Sequence, residues 1–269
     1  MPLDLPNRPL IFVAHPDDET IACAGLLQRA LTSLVVFATD GAAPGFGCER
    51  RFGSLKAYSD LRFQEASRAL AHIPSASLQR LTKPDGAYFV EVHLFEELPQ
   101  AATALSAIAR SFSPEVIISH AYEGAHIDHD ACAFVAMQVS TALALKLYEV
   151  PLYWLDQRGK PVLQRFRSDG DDVVEFQLSE AEIQVKKRMM AEYHTQRGTV
   201  STFDPGCERM RLAAINSSAF SVAQCRDYMY QERRPRFYHT RGHRISAKTL
   251  LRKFAEFEAS RVRRDRSNV

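Results

Sequence analysis

The chain has 269 residues, of which 46% are hydrophobic and 25% are charged, and its formal net charge is +2. Such a composition is typical of a globular protein that can bury a large core. No apolar run approaches the roughly 18 residues of a membrane span, and residues 1–8 lack the pattern of a signal peptide. Five widely spaced cysteines with no CxxC pair exclude a disulfide framework. We therefore expect a cytoplasmic protein.

Residues 226–269 are strongly basic, because they hold thirteen Lys and Arg against five Asp and Glu. This segment carries a charge of +8 and the rest of the chain −6. We interpret the segment as a solvated helix face, with an anionic partner or a phosphate-bearing substrate as the alternative. If Arg233, Arg234, Arg236 and Arg241 flank the site, they would favour the phosphate. The oligomeric state is not predicted, and no nucleic-acid partner is expected.

The first half of the chain alternates apolar runs with amphipathic segments. We predict strands at 10–14, 34–38, 78–81 and 116–119, and helices at 18–30, 58–72, 92–112 and 126–146. This alternation is typical of βαβ units, so it predicts an α/β fold: a Rossmann-like parallel sheet flanked by helices. Residues 1–269 would form a single domain, with a core at about 9–200 and a basic extension at about 201–269.

The second half has a different pattern. Short strands are predicted at 152–155, 162–166 and 173–176, followed by a helix at 179–194 that begins with a capping box of Ser179 and Glu182. The last predicted element is a basic amphipathic helix at 246–261. The fold would therefore add C-terminal strands and a basic C-terminal helix to the parallel sheet.

Two polar motifs follow predicted strands and open predicted helices. The first is His15-Pro16-Asp17-Asp18-Glu19, and the second is His126-Ile127-Asp128-His129-Asp130. Ligands of open parallel sheets bind beyond the carboxyl ends of the strands, which is where both motifs would lie. Acids at a helix N-terminus also interact well with the helix dipole, but this does not explain His15.

The residue types of the two motifs favour a divalent metal. Imidazole and carboxylate groups are ligands for zinc and similar ions, and His126 and His129 share one face of a helix because they are three residues apart. A hydrolytic zinc site needs three protein ligands and one open position. It also needs a base for the attacking water and a donor for the oxyanion.

The chain resembles the PIG-L (LmbE-like) family of zinc-dependent N-acetylglucosamine deacetylases. The resemblance rests on the two motifs and, more weakly, on Thr39-Asp40-Gly41-Ala42, Arg62-x-x-Glu65, Pro84-Asp85-Gly86 and the segment from Lys187 to Gln196. It covers residues 9 to about 200 and implies a Rossmann-like fold. Ile127 departs from the proline of many members, and we expect little effect on the chemistry.

The resemblance also implies a role for individual residues. His15, Asp18 and His129 would hold Zn²⁺, with Fe²⁺ or Co²⁺ as alternatives. Asp17 would be the general base that acts on the metal-activated water. His126 would stabilise the oxyanion, with Asp128 placed to orient it. The remaining two positions, Arg62 and Asp85, match residues that bind sugar hydroxyls.

Three functions are compared on this basis. The first is a zinc-dependent N-deacetylase, a hydrolase of a linear amide bond, which acts on a small-molecule amino-sugar conjugate. The second keeps the metal and the hydrolysis but acts on a non-sugar or thiol-conjugate amide. The third is a non-catalytic module that binds a sugar or a nucleotide, although no glycine-rich fingerprint follows the first strand.

Overall fold

The computed structural model describes residues 6–45, 47–167, 172–214, 220 and 247–267, which contain nine strands and eight α-helices. The strands are β1 (Pro9–Val13), β2 (Ser33–Phe37), β3 (Ala76–Arg80), β4 (Val116–His120), β5 (Lys146–Val150), β6 (Tyr153–Leu155), β7 (Pro161–Leu163), β8 (Val174–Glu175) and β9 (Arg209–Leu212). The helices are α1 (Asp18–Arg29), α2 (Cys48–Phe52), α3 (Leu55–Leu70), α4 (Leu98–Phe112), α5 (Ile127–Leu143), α6 (Glu180–Ala191), α7 (Arg197–Val200) and α8 (Ala247–Ser267).

Seven of the strands form one sheet in the order β3-β2-β1-β4-β5-β9-β8. The first five strands in this order, from β3 to β5, pair in parallel, whereas β9 pairs antiparallel with β5 and with β8. A separate antiparallel hairpin joins β6 and β7. The prediction of an α/β fold with a mostly parallel sheet flanked by helices is therefore confirmed.

Apolar layers cover both faces of the sheet. Along β1, Leu10 and Phe12 pack into one layer, and Ile11 and Val13 pack into the other. Successive side chains of a strand point to opposite faces, so a strand with two covered faces is apolar at every position. This explains why β1 is a continuous apolar run in the sequence.

The basic C-terminal helix packs on one of these layers. Phe254 of α8 stacks on Phe134 of α5 with ring centroids 4.0 Å apart, and Phe257 is also buried. The apolar side of α8 thus belongs to the core, while Arg252 on the same helix is exposed. Among the described residues, no helix is both long and apolar enough to cross a membrane.

The bounds of several predicted helices differ in the structure, and two of the differences have a clear cause. The helix predicted at 126–146 ends at Leu143, because Ala144 adopts a left-handed conformation (φ 53°), and β5 begins at Lys146. The helix predicted at 92–112 is divided into a 3-10 turn at Leu94–Glu96 and α4. Pro99 lies in the first turn of α4, where its missing N–H costs no helical hydrogen bond.

The sequence pattern did not predict β9. Arg209 and Arg211 alternate with Met210 and Leu212, and each arginine pairs with an acid of a neighbouring strand. Arg211 Nε lies 2.6 Å from Glu149 Oε1 of β5, and Arg209 Nη2 lies 2.7 Å from Glu175 Oε2 of β8. Ion pairs with both neighbouring strands therefore stabilise β9, although it has little apolar character. Because these pairs depend on the order of the strands, the local sequence pattern does not predict them.

The predicted capping box at the start of α6 is present. The Ser179 hydroxyl accepts a hydrogen bond from the backbone N–H of Glu182, and the Glu182 carboxylate accepts one from the backbone N–H of Ser179. One turn further, Lys186 is completely buried. Its ammonium lies 2.8 Å from Glu208 Oε1 and donates to the Ile21 carbonyl oxygen at 2.7 Å. This buried ion pair ties α6 to α1 and to the segment before β9.

We predict that Lys186→Met lowers the free energy of unfolding by about 3–5 kcal/mol, because the buried Glu208 carboxylate would lose its counter-charge. The measurement is urea unfolding monitored by circular dichroism. Lys187→Met is the matched control, because Lys187 is the exposed neighbour on the same helix, and its effect should stay within about 0.5 kcal/mol. Equal stability of the two variants would contradict the prediction.

Candidate functional site

Both sequence motifs lie at the carboxyl edge of the sheet. The strands β1 and β4 are adjacent and parallel, so the segments that follow them meet at the same place. His15 and Asp18 follow β1, while His126 and His129 follow β4, and all four side chains are buried. Residues more than 100 positions apart in the sequence thus form one cluster.

The structure brings the three predicted metal ligands together. His15 Nδ1 lies 3.4 Å from Asp18 Oδ2, and His129 Nε2 lies 3.6 Å from Asp18 Oδ1. The ring centroids of His15 and His129 are 5.3 Å apart. Asp18 therefore lies beside both histidines, each through a different carboxylate oxygen.

Among the described residues, two groups of three bring their potential ligand atoms close together, and neither is the predicted set of His15, Asp18 and His129. The potential ligand atoms of His15, His126 and His129 lie within 4.8 Å of one another, and the same holds for Asp18, His120 and His129. Burial lowers the pKa of His126 to about 3 and lowers that of His129 as well, so both rings are neutral and keep a lone pair. Within the part of the chain that the structure describes, the buried Nδ1 of His129 has no hydrogen-bond partner. Neutral imidazoles beside a carboxylate suit a divalent cation.

Asp128 contacts His15 through its side chain. Its Oδ2 lies 3.2 Å from His15 Nε2 and accepts the backbone N–H of Val92 at 2.7 Å. The other ring nitrogen of His15, Nδ1, faces Asp18. Although burial lowers the pKa of His15, the charge of Glu91 and the hydrogen bonds to Asp128 and Asp18 raise it well above its ordinary value. The sequence analysis assigned Asp128 to orient His126, whereas these carboxylate contacts are with His15 and Val92.

His126 is held by the backbone. It is the N-cap residue of α5, and its Nδ1 accepts the backbone N–H of Asp128 at 3.2 Å. Because Nδ1 is the acceptor, the proton of the neutral ring is on Nε2. His126 is thereby a neutral hydrogen-bond donor at the start of a helix.

Asp17 has an unusual backbone conformation. Its φ of 136° and ψ of −29° lie outside the regions that side-chain-bearing residues favour. The backbone N–H of Asp17 donates to Glu19 Oε2 at 3.1 Å, and Arg62 Nη2 lies 3.2 Å from Asp17 Oδ2. Burial raises the pKa of the Asp17 carboxyl to about 8, although the charge of Arg62 opposes the shift.

Glu19 is fixed in turn by residues from the distant α6 segment. Tyr193, which follows α6, donates its hydroxyl hydrogen to Glu19 Oε1, and Thr20 donates to the same oxygen at 2.6 Å. The segment after α6 also binds a second buried glutamate: Glu65 of α3 accepts the backbone N–H of Thr195 at 2.9 Å. The Arg-x-x-Glu and Tyr-x-Thr-Gln motifs therefore support the turn that carries Asp17.

The guanidinium of Arg62 donates hydrogen bonds to backbone carbonyl oxygens. Its Nη1 donates to the Gly41 carbonyl oxygen at 2.7 Å, and its Nη2 donates to the Pro16 carbonyl oxygen at 2.9 Å. Gly41 has a φ of 66°, and a Cβ at this position would lie 2.9 Å from Pro16 Cδ and 3.1 Å from Arg62 Nη1. A glycine is therefore required where the loop after β2 approaches Arg62.

Asp85 lies apart from these contacts. It is exposed, and its Oδ1 accepts the backbone N–H of Ala87 at 3.0 Å within its own turn. The carboxylate beside the cluster on this side is Glu91, whose Oε1 lies 3.8 Å from His15 Nε2. Glu91 Oε2 accepts the backbone N–H of Ala43 at 3.1 Å.

Sequence analysis missed two residues of the cluster. Glu91 lies in a segment that was predicted as a loop and the start of a helix, so no pattern singled it out. His120 ends β4, two residues after the apolar run from Val116 to Ile118. A polar residue at the end of a buried strand is the signal that could have found it. The tail residues Arg233, Arg234, Arg236 and Arg241 lie outside the described residues.

The sheet order and the buried cluster define the protein as an α/β protein with a candidate metal centre at the carboxyl edge of its sheet. Residues 10–140 match the family model described as PIG-L: GlcNAc-PI de-N-acetylase. This match confirms the resemblance to the PIG-L family over the part of the chain that carries both motifs.

Solved structures with a similar fold include three deacetylases. A triple mutant of a deacetylase of the teicoplanin biosynthetic pathway has a TM-score of 0.58 and 18% identity, over 76% of this chain and 97% of that chain. A40926 pseudoaglycone deacetylase has a TM-score of 0.56 and 16% identity, over 72% and 84%. N,N'-diacetylchitobiose deacetylase from Pyrococcus horikoshii has a TM-score of 0.54 and 14% identity, over 79% and 88%. At these identities the likeness concerns the fold. No curated protein matched the chain.

Proposed function

We propose that this chain is a metal-dependent hydrolase that removes the N-acetyl group from an N-acetylglucosaminyl or related amino-sugar conjugate. The observation that carries the proposal is that His15, Asp17, Asp18, His126 and His129 are all buried at the carboxyl edge of the sheet, with groups of three potential metal ligands among them. The PIG-L match over residues 10–140 and the names of the similar structures support the reaction class.

The hydrogen bonds of the cluster favour His15, Asp18 and His129 as the metal ligands. The Nδ1 of His126 already accepts a backbone N–H, and so does the Nε2 of His120. His15, in contrast, directs Nε2 at Asp128, and its Nδ1, beside Asp18, would lose any proton to bind the metal. A divalent cation bound there would supply the Lewis acidity that activates water and polarises the amide carbonyl.

The remaining residues supply the proton transfers. Asp17 would take the proton of the attacking water and return it to the leaving amine. Arg62 holds the Asp17 carboxylate, and Glu19 holds the Asp17 backbone N–H. His126 would donate its Nε2 proton in a hydrogen bond to the amide oxygen as negative charge develops there. A neutral imidazole at a helix N-terminus is suited to this donor role.

We expect the purified protein to hold about one zinc, iron(II) or cobalt ion per chain, since a catalytic site of this type binds a single ion. Elemental analysis measures the metal, and acetate release is measured from a panel of N-acetylglucosaminyl compounds and non-sugar amides. One similar structure is described as a zinc-inhibited teicoplanin deacetylase, so zinc is added to one equivalent and not in excess.

A chelator should abolish acetate release, and added metal should restore it. If the protein holds metal and hydrolyses a non-sugar amide but releases no acetate from the sugar compounds, it is an amidase and the proposed amino-sugar substrate is wrong. A chain that takes up no zinc, iron or cobalt would contradict the proposed function and leave a binding module.

We predict that Asp17→Asn lowers kcat by about 10²- to 10⁴-fold, because the amide cannot accept the proton of the attacking water. Metal content should remain close to that of the native chain, which separates the loss of the base from the loss of the site. Asp60→Asn is the control, because Asp60 pairs with Lys56 on the exposed side of α3. Full activity of the metal-loaded Asp17→Asn protein would remove Asp17 from the role of base.

Sugar binding by Arg62 and Asp85 is part of the same proposal. Asp85 would contact the substrate from the exposed rim, so we predict that Asp85→Asn raises KM about tenfold at constant kcat, through the loss of a charged hydrogen bond. The matched control is Asp156→Asn, because Asp156 Oδ1 accepts backbone N–H groups in a comparable turn. If the two variants have the same KM for the sugar substrate, Asp85 does not bind it.

A further inference from the structure

His120 lies between the two motifs and belongs to neither. It is the last residue of β4, and its side chain is completely buried. The backbone N–H of Ala14 donates to His120 Nε2 at 2.9 Å. The ring therefore joins the end of β4 to the residue that directly precedes His15.

This bond continues the pairing of β1 with β4 beyond the end of their ladder. The last paired residues are Phe12 and Ser119, and the Ser119 hydroxyl donates to the Phe12 carbonyl oxygen at 2.7 Å. Ala14 lies two residues after Phe12. Its N–H donates to His120 Nε2, and its carbonyl oxygen accepts the backbone N–H of Thr39 at 3.1 Å. Both polar groups of the Ala14 backbone are thus fixed immediately before the first metal-binding motif.

The other contacts of His120 are with predicted metal ligands. Its ring stacks on that of His129, with centroids 4.1 Å apart and an interplanar angle of 5°. Its Nε2 lies 3.4 Å from Asp18 Oδ2. One imidazole therefore contacts Asp18 and His129 directly and reaches His15 through the backbone.

Distance alone would allow His120 to be a ligand, since its ring nitrogen, Asp18 and His129 could surround one cation. The hydrogen bond from Ala14 argues against this, because the Nε2 lone pair that faces Asp18 is already occupied. A neutral ring with Nε2 as an acceptor carries its proton on Nδ1. Neither nitrogen then offers a lone pair to a cation.

We propose that His120 is a positioning residue, which holds His15, Asp18 and His129 in the arrangement that binds the metal without binding it itself. The proposal rests on the metal site of the proposed function. Residues that orient metal ligands commonly contribute 10- to 100-fold to metal affinity.

The test compares three variants in zinc binding by competition with a chromophoric chelator. His120→Gln can place an amide oxygen near the position of Nε2, whereas His120→Asn is too short to reach the Ala14 N–H and His120→Phe has no acceptor. We expect the zinc dissociation constant to rise about 10- to 100-fold in His120→Asn and His120→Phe, and less than about threefold in His120→Gln. All three should still bind about one zinc per chain.

Native affinity in His120→Asn would overturn the proposal. Loss of stoichiometric zinc in all three variants, including His120→Gln, would also overturn it and make His120 a ligand. Circular dichroism of the metal-free variants checks that each one is folded.

A second measurement requires neither the metal nor a folded variant. In the metal-free native chain, labelled with ¹⁵N-histidine, we expect the spectrum of His120 to show a protonated Nδ1 and an unprotonated Nε2. A proton on Nε2 would overturn the proposal, because the bond from Ala14 could not exist. If the native chain takes up no metal, the proposed function fails, and this spectrum still decides whether His120 fixes Ala14.

Discussion

Carboxylates and imidazoles at the carboxyl ends of β1 and β4 are almost completely removed from water. A buried ionisable group without a partner costs several kcal/mol, so each of these side chains needs a hydrogen bond or an opposite charge. Arg62 neutralises part of the charge beside Asp17, and Asp128 accepts from His15. The acids and histidines that remain close together are the groups a cation would stabilise, and this links the burial of the cluster to its proposed chemistry.

The partners of the cluster come from distant parts of the chain. Arg62 is on α3, and Tyr193 follows α6, yet both fix the turn of residues 16–19. The buried lysine of α6 is Lys186, which donates to the Ile21 carbonyl oxygen of α1. Lys187, which the resemblance to the family had used as the start of this motif, is exposed. The second half of the chain thus supports a site whose chemistry lies in the first half.

Residue patterns predicted the parts of the fold that local periodicity controls. The strands β1, β2 and β4 are continuous apolar runs because both faces of the sheet are covered, and the two motifs follow β1 and β4 directly. The pattern failed where other interactions decide the conformation. Ala144 ends α5 in a left-handed conformation without a glycine, and β9 is stabilised by ion pairs of Arg209 and Arg211 with neighbouring strands.

The sequence by itself determined the α/β class, the resemblance to the PIG-L family and the residue types of the candidate site, because each depends on short segments with a definite spacing. Only the tertiary structure decided that Asp128 contacts His15, that Glu91 rather than Asp85 lies beside the cluster, and that His120 joins Ala14 to His129. These contacts depend on the adjacency and register of β1 and β4, which place residues 106 positions apart within a hydrogen bond of each other. A local pattern does not contain this information, because pairing between strands is decided by the whole sheet.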